Sequence, residues 1–202
     1  MKYSSVVFFG DSITRGGWAE IVAKKLVIPK NKVTCYDLGI NGDTTRLGLE
    51  RMSEIYRLKP DIVTVQFGAN DCNIWDSDCG VERVNERAYY YNLIEMVRKI
   101  RAHGAHDIIL LTTHLKPRDT VMGVDKLESY NHRLAMYNEL VREAAGVWGC
   151  ELCDMEAVIK KSDVLPENCK YIHLNASGNL KYAQAIMPMI KELLKELVSR
   201  SY

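Results

Sequence analysis

The sequence predicts an α/β protein: a three-layer α/β/α sandwich around a central, mostly five-stranded parallel sheet. Short apolar runs, rich in β-branched residues, alternate along the chain with longer segments in which apolar residues recur at every third or fourth position. Runs of the first kind are typical of strands covered on both faces, and segments of the second kind are typical of amphipathic helices. Alternation of strands and helices implies right-handed crossovers between parallel strands, with helices on both faces of the sheet.

The predicted strands are short, and the predicted helices between them are longer. The apolar runs that predict strands are Val6–Phe9, Val33–Leu38, Ile62–Phe67, Ile108–Thr113 and Glu151–Cys153. Two long apolar stripes predict helices, one from Leu127 to Ala144 and one from Leu180 to Leu197. Weaker helical patterns run through 18–26, 43–56 and 83–101.

Length, composition and charge predict one globular domain, residues 1–202. The chain is 47% hydrophobic and 26% charged, as in an ordinary globular protein, and its net charge is +1. No basic block indicates nucleic acid or a membrane surface as a partner, and no apolar run approaches the roughly 20 residues that span a bilayer. The first residues lack the pattern of a secretory signal, so we expect a cytoplasmic location. Either a monomer or a homo-oligomer fits.

The six cysteines are expected to be reduced thiols. Cys150 and Cys153, in "CELC", have the spacing of a metal knuckle, but a zinc site of that type needs a second such pair, which the sequence lacks. The predicted strand at this position would also point the two thiols to opposite faces of the sheet. We therefore predict small buried side chains here and no metal site.

Polar residues and glycines follow the first four predicted strands. The segments are "GDSIT", "GINGDTT", "GANDCN" and "HLKPRD", and a fifth, "YIHLNASGN", precedes the last predicted helix. Open parallel sheets bind their ligands beyond the carboxyl ends of the strands. These segments therefore predict one functional site at that edge of the sheet.

Ser12, in "GDSIT", is the first candidate for chemistry, either as a nucleophile or as the N-cap of the following helix. A nucleophile needs a base, and His173 is the best placed of the five histidines, in a loop just ahead of the last helix. His103 and His106 flank a turn glycine and are expected to be solvated. His132 lies in a predicted helix among charged residues and is expected to be exposed.

Acyl transfer also needs hydrogen-bond donors for the negative charge that develops on the carbonyl oxygen. Gly42, in "NGDTT", can present its backbone N–H at the start of a predicted helix, where the helix dipole favours negative charge. Asn70, in "GAND", offers a side-chain amide at the end of the third strand. Taken singly, Gly42 could equally be a turn glycine and Asn70 an Asx-turn residue. Their arrival with Ser12 and His173 at one sheet edge favours the catalytic interpretation.

Four segments in order resemble the four sequence blocks of the SGNH, or GDSL-like, hydrolase family. They are "GDSIT", the glycine of "NGDTT", "GAND" and the histidine of "HLNASGN", and the resemblance extends from Gly10 to Asn179. "GGWAEIVAKKL" and "FGAND" are further similar to the isoamyl acetate-hydrolysing esterase and microbial lipase/acylhydrolase branch. The resemblance implies the flavodoxin-like fold of SGNH hydrolases.

The same resemblance implies a role for each site residue. Ser12 is implied as the nucleophile and His173 as the general base and then the general acid. Gly42 and Asn70 are implied as oxyanion donors, together with the backbone N–H of Ser12. Asp11 is implied as a structural neighbour of the nucleophile rather than as the base.

The last block departs from the family's pattern at Lys170. The family usually carries an aspartate three residues before the histidine, and that carboxylate orients the imidazole and stabilises its protonated form. A lysine there disfavours the protonated imidazole. Three explanations are open: a backbone carbonyl within 168–171 orients His173, a carboxylate of Glu167 or Asp163 replaces the missing one, or the chain is a weak or inactive member that binds an acylated ligand.

Together these features predict a serine esterase that cleaves small, acetyl-type esters through an acyl-enzyme, with no metal or organic cofactor. We expect the substrate pocket to be shaped by Asp11, Arg15, Trp18 and His114. The loop "NIWDSDCG", which begins three residues after Asn70, is expected to contribute to the same pocket.

Two other functions compete with this prediction. A carbohydrate O-deacetylase would use the same machinery, and Trp75 or Tyr171 stacking on a sugar ring would favour it. A non-catalytic binding module is suggested by Lys170. A doubly wound nucleotide-binding protein is disfavoured, because no GxGxxG follows the first strand and no GxxxxGKS/T occurs in the sequence.

Overall fold

The computed structural model contains one five-stranded sheet and one small hairpin. It describes residues 2–75, 80–123, 125–160, 163–164 and 172–199. The strands are β1 (Lys2–Gly10), β2 (Asn31–Gly39), β3 (Ile62–Gln66), β4 (Asp107–Leu111), β5 (Val121–Met122), β6 (Glu128–Ser129) and β7 (Glu151–Cys153). The large sheet has the order β2-β1-β3-β4-β7, and all of its neighbouring strands are parallel. The predicted α/β fold with a five-stranded parallel sheet is confirmed.

The helices cover both faces of this sheet. They are α1 (Trp18–Lys25), α2 (Thr45–Glu50), α3 (Ser53–Leu58), α4 (Glu86–Ala102), α5 (Tyr130–Trp148), α6 (Met155–Val158) and α7 (Ala176–Ser199). Helix α1 packs against α7, and α4 packs against α2 and α5. Every residue of β3 is buried, as are Val6–Phe9 of β1, which is the pattern of central strands covered from both sides.

Two of the predicted helices have different bounds in the structure. The pattern through 43–56 forms two short helices, because the backbone leaves the helical conformation at Arg51. Helix α5 begins at Tyr130 rather than at Leu127, since the Ser129 hydroxyl accepts a hydrogen bond from the N–H of His132 and caps the helix there. Leu127 is exposed, so the apolar stripe of this helix starts one turn later than the sequence indicates.

Strand order explains where the loops converge. Strand β1 lies between β2 and β3, so the chain leaves the carboxyl end of β1 in one direction and that of β3 in the other. Such a reversal opens a crevice at the carboxyl edge of the sheet, which is where proteins of this topology bind ligands. Ser12 follows β1, and Asn70 follows β3. No helix in the described part of the chain is long and apolar enough to cross a membrane.

Gly10 closes β1 at a point where the structure leaves no room for a side chain. A Cβ atom at this position would contact the Thr14 hydroxyl and would lie 2.5 Å from the carbonyl oxygen of Gln66. We predict that Gly10→Ala lowers the free energy of unfolding by about 1–3 kcal/mol, because the backbone must shift to relieve this overlap. Urea denaturation measures the effect.

Gly146 provides the matched control for that substitution. It is exposed within α5, and a Cβ atom there would meet nothing within 4 Å. Gly146→Ala should therefore stabilise the protein by up to about 1 kcal/mol through helix propensity. Equal stabilities of the Gly10→Ala protein and the unsubstituted protein would contradict the packing argument.

Candidate active site

Ser12 and His173 form a hydrogen-bonded pair at the carboxyl edge of the sheet. The Ser12 Oγ lies 2.9 Å from Nε2 of His173, although 161 residues separate the two along the chain. Ser12 stands in a turn of residues 11–17, and α1 begins only at Trp18, with Gly17 as its N-cap. Ser12 is therefore not the cap of this helix, and its hydroxyl is directed to the histidine.

Burial sets the protonation state of the histidine. His173 is half-buried, and desolvation lowers the pKa of its imidazole, which favours the neutral form. A neutral imidazole can accept the hydroxyl proton of Ser12 at Nε2. The pair is thus poised for general-base activation of an alcohol.

Asp11 shapes the turn that carries Ser12. Its Oδ1 accepts a hydrogen bond from the N–H of Ile13 at 2.8 Å, and its carbonyl oxygen accepts from the N–H of Arg15 at 3.2 Å. The intervening N–H of Ser12 has no acceptor among the residues that the structure describes. That N–H is therefore available to a ligand oxygen. Complete burial raises the pKa of the Asp11 carboxyl to about 7.

Gly42 presents a second unoccupied backbone donor. Its φ of 80° lies in the left-handed region, which glycine adopts without strain. Within the described ranges its N–H has no acceptor, whereas the next N–H, of Asp43, is bonded to the carbonyl of Ile40. The N–H of Gly42 therefore takes no part in the hydrogen bonds of its own turn.

The loop that carries Gly42 is fastened to the ends of β1 and β3. Arg51 donates from Nε to the Asp43 carboxylate at 2.6 Å and from Nη2 to the carbonyl of Gly10 at 3.0 Å. The side-chain amide of Asn70 donates to the carbonyl of Asp43 at 2.8 Å. One amide hydrogen of Asn70 is thereby used to hold the loop, and the other is available as a donor.

Asp71, in the loop after β3, binds Thr45 at the start of α2. Its Oδ1 accepts hydrogen bonds from both the N–H and the hydroxyl of Thr45. Asn92 donates in turn to the Thr45 hydroxyl at 2.9 Å. Asp71 is fully buried, and desolvation raises the pKa of its carboxyl to about 6, although the bonds from Thr45 oppose that rise.

A cavity of about 360 Å³ brings the four predicted catalytic residues together: Ser12, Gly42, Asn70 and His173. The other residues that line it are Asn41, Ala69, Asn73, Trp75, Lys116, Tyr130 and Ile172. Five of these had no predicted role of their own: Asn41, Ala69, Lys116, Tyr130 and Ile172. Lys116 stands in "HLKPRD", the segment after the fourth strand, and this position in the sequence already indicated that it lies near the site. Nothing in the local sequence of Tyr130, the first residue of α5, indicates that it lines the cavity.

His114 holds the loop of His173 through two buried hydrogen bonds. It is completely buried, with Nδ1 at 2.7 Å from the Tyr182 hydroxyl and Nε2 at 2.7 Å from the carbonyl oxygen of Ile172. Burial lowers the pKa of this imidazole to about 4, so it is neutral. The carbonyl of Ile172 can only accept, which requires Nε2–H to donate and Nδ1 to accept from Tyr182. Gln66 donates to the same tyrosine hydroxyl at 3.1 Å.

The prediction that Asp11, Arg15, Trp18 and His114 shape the pocket needs correction. None of the four lines the cavity. Trp18 is completely buried in the core, where its ring meets Phe8 edge-on at 5.2 Å, and Arg15 is exposed outside the cavity. Asp11 and His114 are completely buried and act on the site through the backbone instead.

The other sequence predictions around the site have different outcomes. Asn73 and Trp75 of the predicted loop line the cavity, and residues 76–79 of that loop lie outside the described residues. Lys170, Glu167 and Tyr171 also lie outside them.

Asp163 does not take the place of the missing carboxylate in the structure. Its carboxylate accepts hydrogen bonds from the Lys160 N–H, the Ser177 hydroxyl and the Lys181 ammonium. Partial burial raises the pKa of this carboxyl, but the Lys181 contact and the other donors outweigh burial and lower it overall. Asp163 thus anchors the start of α7, through Ser177 and Lys181.

Comparison with known protein families identifies the family of this chain. A sequence model of the GDSL-like lipase/acylhydrolase family matches residues 8–181. The chain belongs to this family. It is a carboxylic ester hydrolase of the GDSL type.

Relatives of this chain are also described as esterases. The chain is 26% identical over 216 residues to the isoamyl acetate-hydrolyzing esterase 1 homolog of Mus musculus, an alignment that covers 98% of this chain and 85% of the relative. It is 29% identical over 121 residues to the esterase TesA of Pseudomonas aeruginosa, which covers 56% of each chain.

Solved structures share the fold of this GDSL-type hydrolase. A lipase/acylhydrolase from Enterococcus faecalis superposes with a TM-score of 0.74 at 22% identity, over 94% of this chain and 96% of that one. Axe2, an acetylxylan esterase from Geobacillus stearothermophilus, superposes with a TM-score of 0.75 at 20% identity, over 92% and 93% of the two chains.

The buried His114 predicts a specific pH dependence of stability. Its pKa is about 4 in the folded protein against an ordinary 6.5, so its contribution is complete above pH 6.5 and is lost as the pH falls toward 4. His114→Gln can accept from Tyr182 and donate to Ile172 without titrating. We predict that the stability of the unsubstituted protein relative to His114→Gln falls by about 1–3 kcal/mol between about pH 7 and about pH 4.5.

Urea denaturation across this pH range measures that difference. The comparison cancels the titration of carboxylates that both proteins share. His114→Leu, which removes both hydrogen bonds, should be less stable than His114→Gln by about 1–3 kcal/mol at neutral pH. A pH-independent difference between the unsubstituted protein and His114→Gln would refute the assignment of a buried neutral imidazole.

Proposed function

We propose that this hydrolase cleaves small acyl esters through an acyl-enzyme on Ser12. The observation that carries the proposal is the 2.9 Å contact between Ser12 Oγ and His173 Nε2, inside a cavity that Gly42 and Asn70 also line. The backbone N–H groups of Ser12 and Gly42, which have no acceptor in the described part of the chain, and the amide of Asn70 supply oxyanion donors. A cavity of about 360 Å³ suits a small ester.

The reaction proceeds in two steps through these residues. Ser12 Oγ attacks the ester carbonyl carbon while His173 Nε2 takes the hydroxyl proton, and the oxyanion donors bind the carbonyl oxygen as it becomes negative. The tetrahedral intermediate collapses, and His173 gives its proton to the departing alcohol. Water then attacks the acyl-enzyme with His173 as base, and the carboxylic acid leaves with Ser12 restored.

We propose that a backbone carbonyl within 168–171 orients His173 in the absence of the usual aspartate. Two observations support a backbone device over a carboxylate. Asp163, one of the two candidate carboxylates, is bonded by Lys160, Ser177 and Lys181. The neighbouring backbone at Ile172 is already fixed by His114.

A carbohydrate O-deacetylase is the second candidate. Trp75 favours it, because this tryptophan lines the cavity and is 40% exposed, as a residue that stacks on a sugar would be. The guanidinium of Arg83 lies 3.8 Å from its ring centroid and holds the indole in place. One of the structures with the same fold is described as an acetylxylan esterase.

A cytoplasmic location is proposed on the state of the cysteines. Cys35, Cys72, Cys150 and Cys153 all carry free thiols, and Cys72 and Cys153 are buried. Free thiols are typical of proteins from reducing compartments.

A serine-directed probe tests the nucleophile directly. We predict that a fluorophosphonate labels Ser12 and that the protein hydrolyses p-nitrophenyl acetate. Ser12→Ala and His173→Ala should each lower kcat by about 10³-fold or more, because they act as a unit. Peptide mapping of the label and initial rates are the measurements.

Ser177→Ala is the control for the serine substitution. Ser177 lies at the start of α7, in contact with Asp163 and outside the cavity. Its loss should leave the label and the rate in place. An unlabelled protein that turns over no ester would support the binding module and end the esterase mechanism.

Replacing Lys170 tests what orients the catalytic histidine. If a backbone carbonyl does so, Lys170→Asp restores the family's carboxylate and should raise kcat several-fold, since the carboxylate also stabilises the imidazolium. Lys170→Asn, which removes the positive charge without adding a negative one, separates the two effects. An unchanged or lower rate in Lys170→Asp would mean that another group already performs this task.

A further inference from the structure

Lys116 places a buried cation in the wall of the cavity. The residue is only 9% exposed, yet it lines the same cavity as Ser12 and His173. It follows β4, whereas the residues of the proposed chemistry follow β1, β2 and β3 or precede α7. The proposed reaction gives it no role.

The ammonium group is held in a fixed position. Its Nζ donates a hydrogen bond to Thr120 Oγ1 at 3.1 Å and lies 3.6 Å from the ring centroid of Tyr130. Tyr130 is itself fixed, since its hydroxyl donates to the carbonyl of Ala69 at 2.8 Å. The side chain of Asn131 bonds both the N–H and the carbonyl of Lys116. The lysine is therefore pre-organised rather than a mobile surface side chain.

No carboxylate among the described residues forms an ion pair with this ammonium. The nearest acidic neighbour in sequence, Asp119, accepts hydrogen bonds from the N–H groups of Thr120 and Asn131 and from the Ser129 hydroxyl. An ammonium has three N–H donors, and one is used by Thr120. Burying a charge is costly, and burial lowers the pKa of this lysine, although the negative charge of Asp119 opposes that shift. A site of this kind favours an anion.

We propose that Lys116 forms an anion subsite in this cavity and that the preferred substrates are esters that carry a carboxylate elsewhere in the molecule. The carboxylate completes the hydrogen bonding of the ammonium while the ester lies at Ser12. This inference rests on the proposed esterase function, because it names the substrate class of that site. It applies whether the carboxylate belongs to the acyl group or to the alcohol.

Matched pairs of esters test the preference on each side of the scissile bond. On the alcohol side, 3-acetoxybenzoate is compared with its neutral amide, 3-acetoxybenzamide. On the acyl side, monophenyl succinate is compared with phenyl succinamate. We expect kcat/KM for at least one charged ester to exceed that of its neutral partner by roughly 10- to 100-fold, as for a hydrogen bond between charged groups.

Substitution of Lys116 assigns the preference to this residue. Lys116→Met should reduce the charged-to-neutral ratio to about one, and Lys116→Arg should keep part of it. Lys32→Met is the matched control, because Lys32 is exposed at the amino end of β2, at the opposite edge of the sheet. It removes the same charge and should leave the ratio unchanged. Thermal unfolding checks that each variant is folded.

A binding measurement separates this inference from the proposed chemistry. Calorimetry with Ser12→Ala compares 3-hydroxybenzoate and succinate with the neutral 3-hydroxybenzamide. At least one carboxylate should bind, and adding Lys116→Met should weaken it at least about tenfold, with no effect on the amide.

The outcomes divide cleanly between the two proposals. Neutral esters turned over with no preference for either charged ester, or a preference that survives Lys116→Met, would overturn the anion subsite and leave the esterase intact. Carboxylate binding that depends on Lys116 in a protein that cleaves no ester would overturn the catalytic proposal alone.

Discussion

The candidate site depends on the buried hydrogen bonds that tie the loop of His173 to the sheet. Gln66 of β3 donates to Tyr182 of α7, Tyr182 donates to His114, and His114 donates to the carbonyl of Ile172. His173 is the next residue. Without these bonds the loop would not hold His173 in a fixed position. Its Nε2 would then not be kept at 2.9 Å from Ser12 Oγ, the distance that proton transfer between them requires. The neutral state of His114 is essential, because a protonated imidazole could not accept from Tyr182.

Burial also affects the charge of the acidic residues near the proposed oxyanion donors. Asp11, Asp43 and Asp71 all lie below the site, and three full negative charges there would oppose an oxyanion. Burial raises the pKa of Asp11 to about 7 and that of Asp71 to about 6, which shifts both carboxyls toward the uncharged form near neutral pH. Asp43 is paired instead with Arg51. The acids thus hold the turns in place through hydrogen bonds, while burial suppresses part of the charge of Asp11 and Arg51 compensates that of Asp43.

The sequence predicts the fold and the four cavity residues well, for one physical reason. Parallel strands end at a common edge, so the residues that follow each strand meet in space however far apart they are in the chain. Ser12, Gly42 and Asn70 are of this kind, whereas His173 stands in the loop ahead of α7. The same argument fails for Trp18, because it lies beyond the end of the turn and its direction depends on how α1 packs on the sheet.

Other parts of the site depend on contacts that no local pattern encodes. His114 follows β4, as predicted, but whether its ring faces the cavity or the core is decided by Tyr182, 68 residues later. Tyr130 looks like an ordinary apolar position of a helical stripe, and only the packing of α5 brings it to the cavity wall.

The residues proposed for catalysis and those proposed for substrate selection come from different parts of the site. In the proposed mechanism Ser12, Gly42, Asn70 and His173 surround the reacting carbonyl, and hydrogen bonds fix the backbone of their loops. Lys116 lies between β4 and α5 and Tyr130 begins α5, and the two are linked to the loop after β3 through the carbonyl of Ala69. A substitution at Lys116 can therefore change which ester is held without moving the groups that cleave it. A buried cation discriminates an anion from a neutral isostere more strongly than apolar walls discriminate shape, so the proposed anion subsite would select substrates by charge.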